Sequence, residues 1–231
     1  MRRGTGVTTR SPARLALVEG WPVLVTSLIV GTTYGVVARQ SGLGVVEASA
    51  SSLLVFAGAA QFASLELLKG GASAAEIVVA IVLINARHLL MAAAIRPFVA
   101  RAPLLTRFGL GYVLTDEAFA LGIGWFRRPR TELAYLATFG VALYVCWNIG
   151  TIVGALIGAS VEHPERLGVD FAITAVFIAI VATTARHRAD LAVAGVAALV
   201  AAALKLAGAS TLAVVVAGAV APLLTLAMRR R

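Results

Sequence analysis

The sequence has few charged residues and almost no cysteine. Charged side chains make up 13% of the 231 residues, whereas an average soluble domain carries roughly 25%. This deficit excludes an ordinary soluble globule. The single cysteine, Cys146, excludes a disulfide within the chain and a metal centre built from several cysteines.

The sequence also lacks the motifs of common enzymes. It contains no HExxH, no Gly-x-Ser-x-Gly, no Gly-x-Gly-Asp, and no glycine-rich phosphate loop followed by Lys and Ser or Thr. We therefore expect neither ATP hydrolysis nor any other enzymatic activity, and no cofactor. The net charge of +9 does not indicate nucleic-acid binding, because the basic residues stand in short bursts between apolar runs.

Hydrophobic residues make up 60% of the chain, and the mean hydropathy is +0.92. A membrane helix needs roughly 20 apolar residues. The apolar runs predict an all-α polytopic membrane protein with eight spans, near residues 15–38, 45–68, 74–95, 104–126, 133–159, 169–185, 191–204 and 211–228. The second segment could be re-entrant and the seventh is short, so six or seven crossings also fit.

The domain organisation follows from these spans. Residues 1–14 are basic and polar, which predicts a disordered cytoplasmic tail. Residues 15–228 are predicted to form a single transmembrane domain, and residues 229–231 a basic cytoplasmic C-terminus. Most Lys and Arg residues then lie on the cytoplasmic side, which favours both termini inside.

Ionisable side chains near the middle of a span are costly and usually face a cavity or a partner. Arg87 lies about 13–16 Å from either end of the third span, at 1.5 Å per residue. Asp116 and Glu117 lie at a similar depth in the fourth span, and Asn85 and His88 share one face of the third. These residues form either a structural ion pair between Arg87 and an acid, or a proton-coupled site for a charged solute.

The second span is interrupted by polar and small residues around Gly58. The run from Phe56 to Phe62 predicts either a close helix-packing surface or a broken helix whose freed backbone lines a cavity, with Gln61 directed into it. Glycines spaced by four at Gly31 and Gly35, and from Gly150 to Gly158, predict packing faces. Asn148 and Asp170 are candidate contributors from the second half of the chain.

Several short blocks resemble the AzlC-type family of bacterial branched-chain amino-acid exporters. They are GWP at 20–22, GTTYG at 31–35, FAGAAQF at 56–62, NARHLL at 85–90, TDEAFA at 115–120, WNIG at 147–150 and DFA at 170–172. The resemblance implies a secondary exporter of valine, leucine and isoleucine in the bacterial inner membrane. It also implies a partner, a small multi-spanning subunit of the AzlD type.

The residue chemistry agrees with such a solute. A zwitterionic aliphatic amino acid needs a cation for its carboxylate, an acid or carbonyls for its ammonium, and an apolar pocket. We predict that the substrate is contacted by Phe56, Gln61, Phe62, Asn85, Arg87, Asp116, Phe119 and Asn148. The predicted proton-coupling groups are His88, Asp116 and Glu117. The carrier is expected to be the acid farther from Arg87. The alternative is a structural subunit or a channel.

Overall fold

A computed structural model describes residues 11–129, 132–160 and 188–207. This part of the chain contains helices and no strand. The helices are α1 Pro12–Gln40, α2 Val45–Val55, α3 Gly58–Lys69, α4 Ala74–Asn85, α5 Arg87–Val99, α6 Leu104–Tyr112, α7 Asp116–Phe126, α8 Leu133–Ala159 and α9 Arg188–Leu206.

Three helical stretches in the described ranges are long and apolar enough to cross a membrane: Pro12–Gln40, Ala74–Val99, which comprises α4 and α5, and Leu133–Ala159. The all-helical membrane fold is therefore confirmed. α1 begins at Pro12, so the last three residues of the predicted tail belong to the first helix. The predicted spans 169–185 and 211–228, Asp170, and the C-terminal residues 229–231 lie outside the described residues.

α1 and α8 form the central helix pair, and they run parallel. Glycines on both helices allow their backbones to touch. A Cβ atom added at Gly31 would lie 2.6 Å from the carbonyl oxygen of Trp147, and at Gly35, Gly150 and Gly154 the opposing backbone is closer still. The spaced glycines are thus a packing surface, as predicted.

This close approach makes the interface sensitive to a single methyl group. We expect Gly154→Ala to lower the free energy of unfolding by about 1–3 kcal/mol, the usual cost of overpacking, because its Cβ would collide with the backbone of Thr32. The matched control is Gly124→Ala in α7, where nothing lies within 4 Å of the added Cβ. The melting temperature in detergent measures both effects, and equal stability of the two variants would contradict the packing role.

One end of the bundle is held by a polar network between α1, α8 and the connection after α7. The guanidinium of Arg128 donates to both carboxylate oxygens of Glu19 at 3.0 Å, and the Tyr135 hydroxyl donates to the same carboxylate at 2.7 Å. The Glu19 carboxylate raises the pKa of Arg128 above its usual value. The N-terminal part of α1 and the α7–α8 connection therefore lie at the same end of the molecule.

Candidate functional site

The second predicted span is broken, which was one of its two predicted forms. α2 ends at Val55, and Phe56 takes a left-handed conformation with φ 38° and ψ 48°. Ala57 is extended, and α3 begins at Gly58. A Cβ at Gly58 would lie 2.8 Å from the Trp147 ring, so the break also needs a small residue for packing.

The break frees carbonyl groups at the end of α2. The Leu53 carbonyl, which would accept from Ala57 in a continuous helix, accepts instead from two tyrosines. The Tyr144 hydroxyl of α8 donates to it at 3.2 Å, and the Tyr112 hydroxyl of α6 also donates to it. Phe56 packs edge-on against Tyr144, with ring centroids 4.9 Å apart. Aromatic side chains from two other helices thus hold the end of α2.

The third span is interrupted at Ala86, between α4 and α5. The Ala86 amide donates to Leu83 at 3.2 Å, a tighter turn than that of an α-helix. The His88 ring atom Nδ1 lies 3.0 Å from the Asn85 carbonyl oxygen. Because a carbonyl only accepts, Nδ1 is the donor in this bond, and the Nε2 lone pair of the neutral ring remains available.

The fourth span is also broken, which the sequence analysis did not anticipate. α6 ends at Tyr112 and α7 begins at Asp116, with Thr115 as its N-cap. The Thr115 hydroxyl accepts from the Ala118 amide at 3.3 Å. Asp116 and Glu117 therefore occupy the first turn of a helix, where the helix dipole favours negative charge.

The three interruptions surround one cavity of about 220 Å³. Its wall combines the end of α2, the end of α4 with the start of α5, and the α6–α7 break. The lining residues are Leu54, Val55, Phe56, Asn85, His88, Gly111, Tyr112 and Leu114. Interrupted helices inside a membrane protein are tolerated where their backbone lines a cavity or is covered by protein, and these three interruptions meet that condition.

Arg87 and Asp116 form an ion pair beside this cavity. A guanidinium nitrogen, Nη1, lies 2.8 Å from the carboxylate oxygen Oδ2, and the two side chains are 39% and 49% exposed. The pair joins the first turn of α5 to the first turn of α7. Glu117 is exposed and has no ion-pair or hydrogen-bond partner among the described residues. The two neighbouring acids therefore occupy different environments.

The structure brings together some of the predicted site residues and separates others. Phe56, Asn85 and His88 line the cavity, and Arg87 and Asp116, which pair with each other, lie within two residues of lining residues in the sequence. The others do not line it: Gln61 is fully buried, Phe62 is fully buried, Phe119 is half-buried, and Asn148 is buried with its amide donating to Tyr144 in its own helix.

Gln61 was predicted to point into a cavity at the break, and it does not line the cavity described above. Its Oε1 accepts from the Trp147 indole at 3.1 Å, so the side chain faces α8. Tyr112 and Tyr144 were missed, because their role depends on contacts with Leu53 that are remote in sequence. The Thr115 break had a sequence signal: a Thr N-cap followed by two acids is a common helix start.

Comparison with known proteins identifies the family. The family model described as AzlC protein matches residues 22–161. The chain belongs to the AzlC family. No solved structure matches it. The resemblance drawn from the sequence blocks is thereby confirmed.

The relatives of this AzlC-family chain are membrane proteins. An uncharacterized membrane protein of Archaeoglobus fulgidus is 31% identical over 178 residues, covering 76% of this chain and 77% of the relative. One of Helicobacter pylori strain 26695 is 30% identical over 165 residues, covering 68% of each chain. Inner membrane protein YgaZ of Escherichia coli is 24% identical over 156 residues, covering 64% of each. The chain is therefore a membrane protein, and its family is consistent with a role in membrane transport rather than enzymatic catalysis.

Water access to the cavity of this AzlC-family protein is testable with single cysteines. In a Cys146→Ala background, Val55→Cys and Gly111→Cys replace cavity-lining residues. Both thiols should react with a membrane-impermeant reagent when the cavity faces that side, because broken spans expose their backbone to water rather than lipid. Ala60→Cys is the control, since Ala60 is 0% exposed. Protection of both cavity positions from either side of the membrane would exclude a water-filled site.

Proposed function

We propose that the chain is the large subunit of a secondary active exporter of branched-chain amino acids, such as valine, leucine and isoleucine. The observation that carries the proposal is the convergence of three interrupted spans on one cavity. Discontinuous helices are typical of transporters that bind solute near the bilayer midplane and expose it alternately to either side. Family membership supports a transport role.

The residues around the cavity suit a small aliphatic zwitterion. Leu54, Val55 and Phe56 give an apolar wall for a branched side chain. Asn85 supplies a polar group in the same wall, and Arg87 supplies a cation nearby for a carboxylate. Gln61, Phe62, Phe119 and Asn148 do not line this cavity, so direct contact with the solute is not proposed for them.

The proton gradient is the proposed driving force, and Glu117 is the proposed carrier. Asp116 is paired with Arg87, so protonating it would leave the guanidinium without its counter-charge. Glu117 has no such partner in the described structure, so its neutral form breaks no ion pair. His88, which lines the cavity, is the second group able to take up a proton.

The proposed setting is the bacterial inner membrane, with both termini in the cytoplasm and a small AzlD-type multi-spanning subunit as partner. The Glu19–Arg128 contact supports the topology, because it joins the N-terminal part of α1 to the basic α7–α8 connection. The half-exposed Arg87–Asp116 pair supports a partner, because membrane charges face protein or water rather than lipid.

A structural or assembly subunit is the second candidate function. The direct 2.8 Å contact between Arg87 and Asp116 favours it, since a helix clamp needs such a pair. A structural subunit would carry no solute. An ion pair that only joins two helices does not require a cavity, so the cavity favours the transport function.

Efflux from proteoliposomes separates the two functions. The full chain, alone and co-expressed with the small subunit, is reconstituted in liposomes loaded with labelled valine or leucine, and efflux is followed with and without a pH gradient. We expect valine and leucine to leave the proteoliposomes faster than lysine that is loaded in the same way. The control is liposomes loaded with the same amino acid but without protein. If neither valine nor leucine leaves the proteoliposomes faster than it leaves this control, in either preparation, the exporter proposal is wrong.

A further inference from the structure

The cavity is bounded by the C-terminal ends of three helices, and His88 adds the first turn of α5. Leu54 and Val55 belong to the last turn of α2, Asn85 is the last residue of α4, and Tyr112 is the last residue of α6. The C-terminal end of a helix carries a partial negative charge from its free carbonyls. None of these three helices has a basic residue in its last turn to offset that charge.

The polar atoms at this cavity are mostly acceptors. The carbonyls of Leu54 and Val55 have no hydrogen-bond partner in the described part of the chain, because the break removes their helical donors. Asn85 Oδ1 is also buried and unpartnered there. The Tyr112 hydroxyl and the His88 Nδ1 both use their protons on carbonyls, which leaves lone pairs on the Tyr112 oxygen and on Nε2 of the neutral imidazole.

No lining residue carries a full charge when His88 is neutral. Among the described residues, the lining contains no Lys, Arg, Asp or Glu, and the charge of Arg87 is balanced by Asp116 at 2.8 Å. Acceptors that have no protein donor at a cavity are hydrogen-bonded by water or by a ligand. A ligand that brings positive charge and donors, or that coordinates oxygen, can take the place of that water.

We infer that this cavity is a cation site, which binds a primary ammonium group or a monovalent alkali-metal ion. Transporters coordinate cations with unwound carbonyls and with the C-terminal ends of half-helices, and this arrangement matches the residues at the cavity. If the occupant is the ammonium of the transported amino acid, that part of the inference rests on the proposed function. Of the two ammonium partners expected from the sequence, an acid or carbonyls, this site provides carbonyls.

The test compares ligands that carry one charge each. The full chain is placed in nanodiscs in choline chloride buffer, and isobutylamine, 3-methylbutanoate or sodium chloride is added. Its thermal unfolding is followed by intrinsic tryptophan fluorescence. Isobutylamine or sodium ion should raise the melting temperature in proportion to the logarithm of concentration, and 3-methylbutanoate should not. A shift with the amine identifies an ammonium site, and a shift with sodium alone identifies a metal-ion site. No shift with either cation, or an equal shift with 3-methylbutanoate, overturns the inference.

Variants of Asn85 locate the site. Asn85→Asp should tighten cation binding about tenfold, because a charged acceptor replaces a neutral one, and Asn85→Leu should weaken it about tenfold. Thr26→Val is the control, since it removes a hydroxyl that donates to Pro22 within α1, away from the cavity. If Asn85→Leu does not fold, Asn85→Asp alone tests the inference. Tighter cation binding by Asn85→Asp supports the site, and unchanged binding overturns it.

Failure of this inference is distinct from failure of the proposed function. Cation binding in nanodiscs does not depend on transport, so it can be present when branched-chain amino acids are not exported. Conversely, valine efflux that persists while isobutylamine and sodium fail to bind would retain the exporter and reject the cation site.

Discussion

Removing either charge of the Arg87–Asp116 pair is expected to abolish solute transport. Arg87→Ala removes the cation nearest the cavity, and Asp116→Asn leaves the guanidinium unpaired. An uncompensated charge at the centre of a membrane helix costs about 2.5–3.5 kcal/mol on insertion scales, so each single variant should also melt at a lower temperature in detergent. Efflux from proteoliposomes and thermal melting measure the two effects separately.

The double variant Arg87→Ala with Asp116→Asn separates a functional role from a structural one. It leaves neither member of the pair as a lone charge, so much of the lost stability should return, whereas transport should stay absent if Arg87 acts on the solute. The matched control is Arg128→Met, which breaks the exposed pair with Glu19. This variant should lower stability, because Arg128 binds both carboxylate oxygens of Glu19, whereas transport should persist. A double variant that transports like the wild type would show that the pair is not part of the solute site.

The outer bounds of the helices were predictable from sequence. The predicted span 133–159 coincides with α8, and the predicted 104–126 coincides with the outer bounds of α6 and α7. Both predictions depended on local features: apolar runs of sufficient length, and charged or glycine-containing connections between them. The broken second span followed from small residues around Gly58, which are equally visible in the sequence.

The interior of the site was less predictable, because it depends on contacts between remote residues. Gln61 was expected to face a cavity, but the indole of Trp147, 86 residues away, donates a hydrogen bond to it. The position of Tyr112 depends on a carbonyl that is free only because α2 ends early. Spacing along one helix could show that Asp116 and Glu117 diverge, but only the packing of α5 against α7 shows which of them meets Arg87.

The distinction between the two acids carries the coupling hypothesis. Both lie in the first turn of α7, so the helix dipole acts on each and does not separate them. The ion pair does separate them, because Asp116 contacts Arg87 and Glu117 contacts no cation in the described structure. A carrier has to exist both protonated and ionised during one transport cycle. Glu117 meets this requirement without breaking an ion pair, and Asp116 does not.

We therefore expect Glu117→Gln to abolish proton-driven accumulation of valine while exchange of valine down its own gradient continues. The glutamine keeps the size and polarity of the side chain but cannot release a proton, so binding is retained and coupling is lost. Asp116→Asn should lose both activities, because it disturbs Arg87. Glu66→Gln is the matched control, since it neutralises an exposed acid of α3 away from the cavity and should keep both activities. Both activities are measured in proteoliposomes. If Glu117→Gln keeps proton-driven accumulation, or loses exchange as well, Glu117 is not a dedicated carrier, and coupling lies at His88 or in the partner subunit.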